Sequence, residues 1–453
     1  MQILIVGCGN VGTAIAEQLS TEGHDITAID ERSENLQYAV NAFDIRGIVG
    51  NGASFSILKD AGVETSDLLL AVTDSDELNM LCCLIAKRAG AKTTVARVRN
   101  PVYKQELNYI KSELGLNMVI NPEEIAAAEA ARALKYPLAS KVEAFARGRA
   151  EMVQMTIGAD SPLKGKSLIE IRRETVGDVI FAIVQRGEEV HIPYGSFVLQ
   201  EKDEVSIVAP SKELITFFKK MGIPTTKVRD AIIIGGGQTA FYLARQLLSM
   251  GVEVKIFERG KERCAKLSEV LPEAMIINGD GTDKDMLMEE GLAGTDAFIT
   301  LTGIDEENIM LALFAKSVSK AKRITKLTKV SYNDIIGEMQ IGTTLYPRLI
   351  TAERIIRYVR GIQESMDSEI ETLYKLCDGR VEALEFLIKR DAPVIGVPLQ
   401  ELKLKRGLII ACINHRGDVI VPSGTSTIAA GDTVIVVTRL TGFQDITDIL
   451  EKS

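Results

Sequence analysis

The chain has 453 residues, with 53 Lys and Arg against 62 Asp and Glu, a net charge of −9 and 46% hydrophobic residues. At roughly 150 residues per domain this is more than one domain, with ample apolar material for cores. The acidic balance argues against a nucleic-acid binder, which needs surplus Lys and Arg to neutralise phosphates, and no apolar run approaches the ~18 residues of a membrane span.

The first apolar run, Gln2–Val6, is too short and too soon followed by glycines to be a signal peptide. The six cysteines (Cys8, Cys82, Cys83, Cys264, Cys377, Cys412) show no C-x-x-C spacing, and the three histidines (His24, His191, His415) lie far apart. Cys82 and Cys83 sit in an apolar helical stretch and read as core, which fits a reducing compartment. These features point to a soluble, cytoplasmic protein with no metal site and no Cys–His nucleophile.

In chain order, strands are expected at about 2–6, 26–30, 45–49, 67–73, 94–99 and 118–120. Helices are expected at about 10–22, 33–40, 54–61, 75–89 and 101–114, the last opened by Asn100-Pro101. Continuously apolar strands separated by helices make a parallel sheet covered on both faces, a doubly wound Rossmann-like domain. Gly7-Cys8-Gly9-Asn10-Val11-Gly12 follows the first strand directly and opens a helix, and Asp30 follows 18 residues after Gly12. This is the full dinucleotide fingerprint. Gly7 permits the tight turn, Gly9 admits a pyrophosphate to the backbone, and Gly12 lets helix and strand pack. Asp30 takes the ribose hydroxyls and repels a 2′-phosphate. Thr73 and Asp74, at the end of the fourth strand, lie over the crevice of such a fold. Arg97, from the fifth, either reaches phosphate or is an exposed charge at a strand end.

Next comes a small α+β lobe, in which FAIVQRGEEVHIPYG (181–195) and DEVSIVAPS (203–211) read as strands around an Arg-Gly turn. A joint is expected near Met221–Arg229. Then the pattern repeats. QILIVGCGNVG (2–12) returns as DAIIIGGGQTA (230–240), an offset of 228. Asp30 matches Glu258, Gly50-Asn51-Gly52 matches Gly279-Asp280-Gly281, and AVTDSDELN (71–79) matches TLTGIDEEN (300–308). Thr302 therefore matches Thr73, and Asn308 matches Asn79. In the lobes, Arg186-Gly187 is matched to Arg416-Gly417 and Asp203 to Asp432. In the second loop, Gly235-Gly236-Gly237-Gln238-Thr239-Ala240, alanine replaces the third glycine, and Lys326 stands for Arg97. The expected architecture is two doubly wound Rossmann-like domains, 1–138 and 225–365, each followed by a small α+β lobe, 139–224 and 366–453. Arg348, Arg354, Arg357 and Arg360 crowd the helix after Pro347, either as a basic docking surface or as a solvated face. The Ala-rich helix after Pro122 either crosses to a neighbouring Rossmann domain or packs on its own sheet.

Together these residues resemble the RCK (also called KTN) domains that regulate potassium transport, with RCK-N and RCK-C each present twice. The resemblance covers essentially the whole chain. It rests on the tandem arrangement and the strand-plus-asparagine motifs AVTDSDELN and TLTGIDEEN. It implies NAD or NADH as ligand, with ATP and ADP as alternatives. Gly7–Val11 would hold phosphates, Asp30 the ribose, Asn51 and Thr73–Asp74 the adenosine flanks, and Arg97 phosphate. Gly235, Gly237, Gln238, Thr239, Glu258, Asp280 and Thr302 would serve the second half. It also implies a membrane potassium-translocating partner of the TrkH type, a dimer or tetramer ring, and a place at the inner face of the plasma membrane. No catalytic residues are assigned. The alternative is an NAD-dependent oxidoreductase with duplicated dinucleotide-binding domains, but each is followed by only a small β-rich lobe, and the repeats share no histidine.

Overall fold

The computed structural model describes all residues except 137–138, 176–178, 224–227, 330–332, 366–369, 378, 390–391 and 452–453. Part of the expected joint and the expected domain boundaries at 138, 224 and 366 therefore lie outside the described residues.

The first half opens with β1 (Gln2–Val6), α1 (Asn10–Thr21), β2 (Asp25–Asp30), α2 (Ser33–Phe43), β3 (Arg46–Val49), α3 (Phe55–Asp60), β4 (Leu68–Ala71), α4 (Asp76–Ala89), β5 (Thr93–Arg97), α5 (Pro101–Ile110), β6 (Met118–Ile120) and α6 (Pro122–Lys135). The strands form one parallel sheet in the order β3-β2-β1-β4-β5-β6. The doubly wound expectation holds, because β1 and β4 carry buried apolar residues on both faces and need helices above and below. Cys82 and Cys83 are fully buried in this core. A lobe follows, with β7 (Lys141–Phe145), β8 (Ala150–Thr156), α7 (Leu168–Glu174), β9 (Ile180–Arg186), β10 (Glu189–His191), β11 (Glu204–Pro210) and α8 (Ser211–Lys220).

The second half repeats the first. Its Rossmann part comprises β12 (Asp230–Ile234), α9 (Gln238–Ser249), β13 (Glu253–Glu258), α10 (Lys261–Val270), β14 (Met275–Asn278), α11 (Lys284–Glu289), β15 (Ala297–Thr300), α12 (Asp305–Val318), β16 (Lys322–Lys326), α13 (Asn333–Met339), β17 (Thr343–Leu345) and α14 (Pro347–Ser365). Its lobe has β18 (Ile370–Leu376), β19 (Val381–Leu387), β20 (Leu408–His415), β21 (Asp418–Ile420) and β22 (Thr433–Thr438). The sheet orders, β14-β13-β12-β15-β16-β17 and β18-β19-β22-β20-β21, reproduce those of the first half strand for strand. Where the first lobe has α7 and α8, the second has short 3₁₀ turns at Leu399–Glu401 and Ile446–Ile449.

Like groups with like. The chain forms two compact units, one of residues 1–131 and 228–356, the other of 132–227 and 357–453. The first holds both Rossmann sheets. In the second, the two antiparallel sheets share one core, with Phe145, Met152, Ile183 and Val208 of one lobe against Leu376, Ala383, Cys412 and Ile435 of the other.

Two expectations change. Across the hairpin turns Arg186 faces Glu189, and His415 faces Asp418. Arg186 is thus matched by His415, one residue before Arg416. The repeated feature is a tie from the strand end to a buried acid. Arg186 donates twice to Asp203 at 2.7 Å, and the His415 ring lies 2.6 Å from Asp432. The arginines of α14 do not form one solvated face, because Arg348, Arg357 and Arg360 are partly buried. Arg354 alone of the four is exposed. Arg357 is mostly buried, 2.7 Å from Glu143 of β7, with its guanidinium over the Tyr374 ring. No helix among the described residues is long and apolar enough to cross a membrane.

Candidate functional site

The first loop is built by sterics. Gly7 has φ +97°, and a Cβ there would meet the Thr73 nitrogen at 2.8 Å. A Cβ on Gly12 would meet the Gly7 carbonyl oxygen at 1.9 Å. Around Gly9 there is open space instead. Helix α1 starts there with no side-chain cap, so its first N–H groups are left for a ligand. The Asp30 carboxylate is fixed before any ligand arrives, accepting from the Cys8 N–H at 2.8 Å, the Arg32 N–H at 2.9 Å and Asn35 Nδ2 at 3.2 Å. Burial, and then the Asp30 charge, push the Cys8 thiol up to about 12, so it stays neutral.

The far wall is held by one asparagine. Asn79, fully buried, accepts through Oδ1 from Thr73 N–H (2.8 Å) and Thr73 Oγ1 (2.7 Å). It donates through Nδ2 to the carbonyls of Thr73 (3.1 Å) and Arg97 (2.9 Å). Those groups would otherwise extend the strand ladder, so β4 and β5 end at Ala71 and Arg97, short of the expected 73 and 99. Asn308 makes the same four bonds to Thr302 and Lys326. Asp76 completes the wall by accepting from the N–H groups of Arg99 and Asn100.

A cavity of about 810 Å³ opens over this loop, within the range of small-molecule and cofactor sites. It is lined by both Rossmann domains. The first contributes Gly7, Gly9, Asn10, Val11, Asp30, Thr73, Asp74 and Arg97, together with Glu31, Arg32, Asn35, Gly50, Gly52, Leu78 and Glu123. The second contributes Gly237, Gln238, Thr239, Lys326, Thr328 and Arg348. The domains are pinned beside it by Tyr242 of α9, whose hydroxyl accepts from Asn121 Nδ2 at 3.0 Å.

The expected residues therefore divide. Cys8 and Gly12 shape the loop without lining the cavity, and the Asn51 side chain closes its own turn onto the Ala53 N–H at 2.8 Å. In the second half, Gly235, Glu258, Asp280 and Thr302 stand outside this cavity, while Gly237, Gln238 and Thr239 line it. Glu123 carries no sequence signal beyond following a proline at a helix start, and Arg348 stands out in the sequence only as one of the arginines after Pro347. Only the facing of the two domains assigns them.

The chemistry of the lining fits an anion. The Nε atoms of Arg97 and Arg348 and Oε2 of Glu123 are buried without a hydrogen-bond partner among the described residues. Arg97 lies 3.5 Å from Asp74 and 3.9 Å from Glu123. Burial pulls the Arg97 guanidinium and the Lys326 ammonium below their ordinary pKa values, although carboxylates including Glu123 push both the other way. Helix α9, with Gly237 at its N-cap, also lacks a side-chain cap and faces the same space. Uncapped donors beside partly buried cations suit phosphate.

Known proteins agree with this plan. The TrkA-N domain family matches residues 3–122 and 231–347, and the TrkA-C domain family matches 152–222 and 383–451. The chain is 31% identical over 449 residues to a Trk system potassium uptake protein TrkA homolog of Archaeoglobus fulgidus, covering 99% of this chain and 100% of the relative. It is 30% identical over 444 residues to the Trk system potassium uptake protein TrkA of Haemophilus influenzae, covering 96% and 95%. Its fold is that of the GsuK channel bound to NAD, with a TM-score of 0.64 at 17% identity over 96% of this chain and 76% of that one. With both domain families matched twice and full-length relatives at this identity, the chain belongs to the TrkA family of Trk system potassium uptake proteins.

Proposed function

We propose that this chain is a nucleotide-sensing regulatory subunit of a potassium uptake system, acting at the cytoplasmic face of the membrane on a separate potassium-translocating subunit of the TrkH type, and assembling as a dimer or tetramer ring. The observation that carries the nucleotide reading is the convergence of the unpartnered Nε atoms of Arg97 and Arg348 with two uncapped helix N-termini on one cavity. The relatives' role in potassium uptake and the NAD- and ADP-bound GsuK channels supply the context. The ligand is NAD or NADH, with ATP and ADP as alternatives. Its phosphates would meet these helix ends and cations. Asp30 would hold the ribose, the Gly7–Val11 backbone the first phosphates, and Arg97 with Lys326 and Arg348 the distal end. Because Lys326 and Arg348 of that end come from the other Rossmann domain, a ligand spanning the cavity changes how the two domains pack. Ligands of different length then favour different packings, and each shifts the equilibrium by its differential affinity.

The test is a thermal-shift series with ADP, ATP, NAD and NADH, paired with potassium uptake in cells lacking the chain. At a ligand concentration of 100 Kd, wild type should gain about 2.7 kcal/mol. Asp30→Ala, losing charge-assisted hydrogen bonds of about 1.5–3 kcal/mol, should bind ten- to a hundredfold more weakly and fail to restore regulated uptake. No stabilisation of wild type by any of the four would overturn the proposal, and steady NADH turnover would favour an oxidoreductase.

Gly12→Ala gives a finer check. The second loop holds Ala240 at the matching position, so the fold should survive. The 1.9 Å clash forces the first loop to move. Nucleotide affinity should fall about tenfold, or about 1.4 kcal/mol, by titration calorimetry. Unchanged affinity would mean the loop carries no phosphate.

A further inference from the structure

The two crevices differ beside the ribose acid, where Arg259 stands in the second half and Glu31 in the first. We propose that Arg259 holds the adenosine end of the second crevice closed, so that the chain takes adenine nucleotide through its first half. This rests on the nucleotide reading of the first crevice.

Arg259 directly follows Glu258, the acid at the end of β13. Its guanidinium lies 2.7 Å from Asp280 Oδ1, 3.5 Å from Thr282 Oγ1 and 3.5 Å from Glu307 Oε1. It therefore ties together the tip of β13, the turn after β14 and the first turn of α12. The matching first-half positions are Glu31, Asn51 and Leu78. Glu31, Leu78 and the glycines on either side of Asn51 all line the first cavity. The Arg259 side chain thus bridges the walls between which, in the first half, a ligand would lie. Leu78 can form no polar tie and the Asn51 side chain turns onto the Ala53 N–H, so no such three-way bridge crosses the first crevice.

Two further contacts point the same way. Arg263 Nε donates to the Gly236 carbonyl at 2.7 Å, laying a second guanidinium against the glycine loop. The Thr282 N–H and hydroxyl and then Arg259 pull the Asp280 carboxyl down to about 2, so the tie keeps its charge throughout the physiological range. Glu258 itself is positioned as Asp30 is, accepting from the Gly236 N–H at 2.9 Å and the Gly260 N–H at 2.6 Å. The ribose acid is present, and what closes the site is the arginine beside it.

Half-exposed ion pairs are individually weak, about 1 kcal/mol or a factor of about five, so the closure is reversible and its removal measurable. The experiment is ADP titration by calorimetry on four proteins. They are wild type, Asp30→Ala to disable the first crevice, and Asp30→Ala combined with either Arg259→Ala or Glu307→Gln. Both combined variants should bind ADP about fivefold more tightly than Asp30→Ala alone. Glu307→Gln removes the charge that holds the arginine to α12, and it guards against a folding defect in the arginine variant. If neither binds more tightly, or if Arg259→Ala binds more weakly, Arg259 is not a closure and the proposal is overturned. If wild type binds no ADP at all, the reading of the first crevice fails, and this one with it.

Discussion

Arg357→Ala is expected to destabilise the unit of residues 132–227 and 357–453 by about 3 kcal/mol, the lower end for breaking a buried ion pair. The Arg357 and Glu143 side chains are 17% and 13% exposed and meet at 2.7 Å. Removing one leaves the other charged with little water to replace its partner. Glu143→Gln should cost a similar amount. Arg357→Met with Glu143→Leu should cost much less, since a well-packed apolar pair of similar volume removes both desolvation penalties. Urea denaturation followed by circular dichroism measures all three, and a loss below 1 kcal/mol in Arg357→Ala would show the pair to be solvated. The pH dependence has a definite sign. Burial raises the Glu143 pKa, but Arg357 and Lys141 more than offset this and hold it below the ordinary carboxylate value. The stabilisation is complete above about pH 4.3 and is lost as the pH falls from there through the lower folded-state pKa. Glu143→Gln should show a flatter stability profile in that acidic window.

Asn79→Ala is expected to cost about 3 kcal/mol and to weaken nucleotide binding as well. The truncation removes four hydrogen bonds and strands the Thr73 N–H and the Thr73 and Arg97 carbonyls in a site where Asn79 is fully buried. It also frees Thr73 and Arg97 from their common tie at the edge of the cavity. Asn79→Asp keeps an acceptor for Thr73 but loses both donated bonds and sets a carboxylate beside two carbonyl oxygens, so it should be no milder. Asn308→Ala should lose comparable stability, because its four bonds are the same. A melting temperature within a degree or two of wild type would refute the account. This asparagine is the physical content of the motifs AVTDSDELN and TLTGIDEEN. One amide supplies both donors and both acceptors needed where two parallel strands stop.

The expected strands and helices agree with the observed ones to within a few residues at most boundaries, because burial on both faces of a parallel strand and the cap at a helix start are written in short windows. The glycine loop was legible for the same reason, since Gly7, Gly12 and Asp30 act within one β-α-β unit. The errors arose where a partner is distant in sequence. Arg357 looked like surface on its helix, and only Glu143, 214 residues away, shows it to be buried. Arg186 was matched to Arg416 because both precede glycine, whereas the match that matters runs through the buried acids Asp203 and Asp432 to His415.

The sequence by itself determined that there are two copies of a Rossmann-plus-lobe unit and where each loop and its acid lie. Repetition and local patterning need no knowledge of how the copies meet. Only the tertiary structure decided that Rossmann sits with Rossmann and lobe with lobe. It also showed that one cavity is lined by the glycine loop and Asp30 of the first domain and by Lys326 and Arg348 of the second. The reason is that burial and electrostatic pairing depend on distance in space. Two halves of the same local plan become unequal once Arg259 finds Asp280 and Glu307, while Glu31 makes no such ion pair among the described residues.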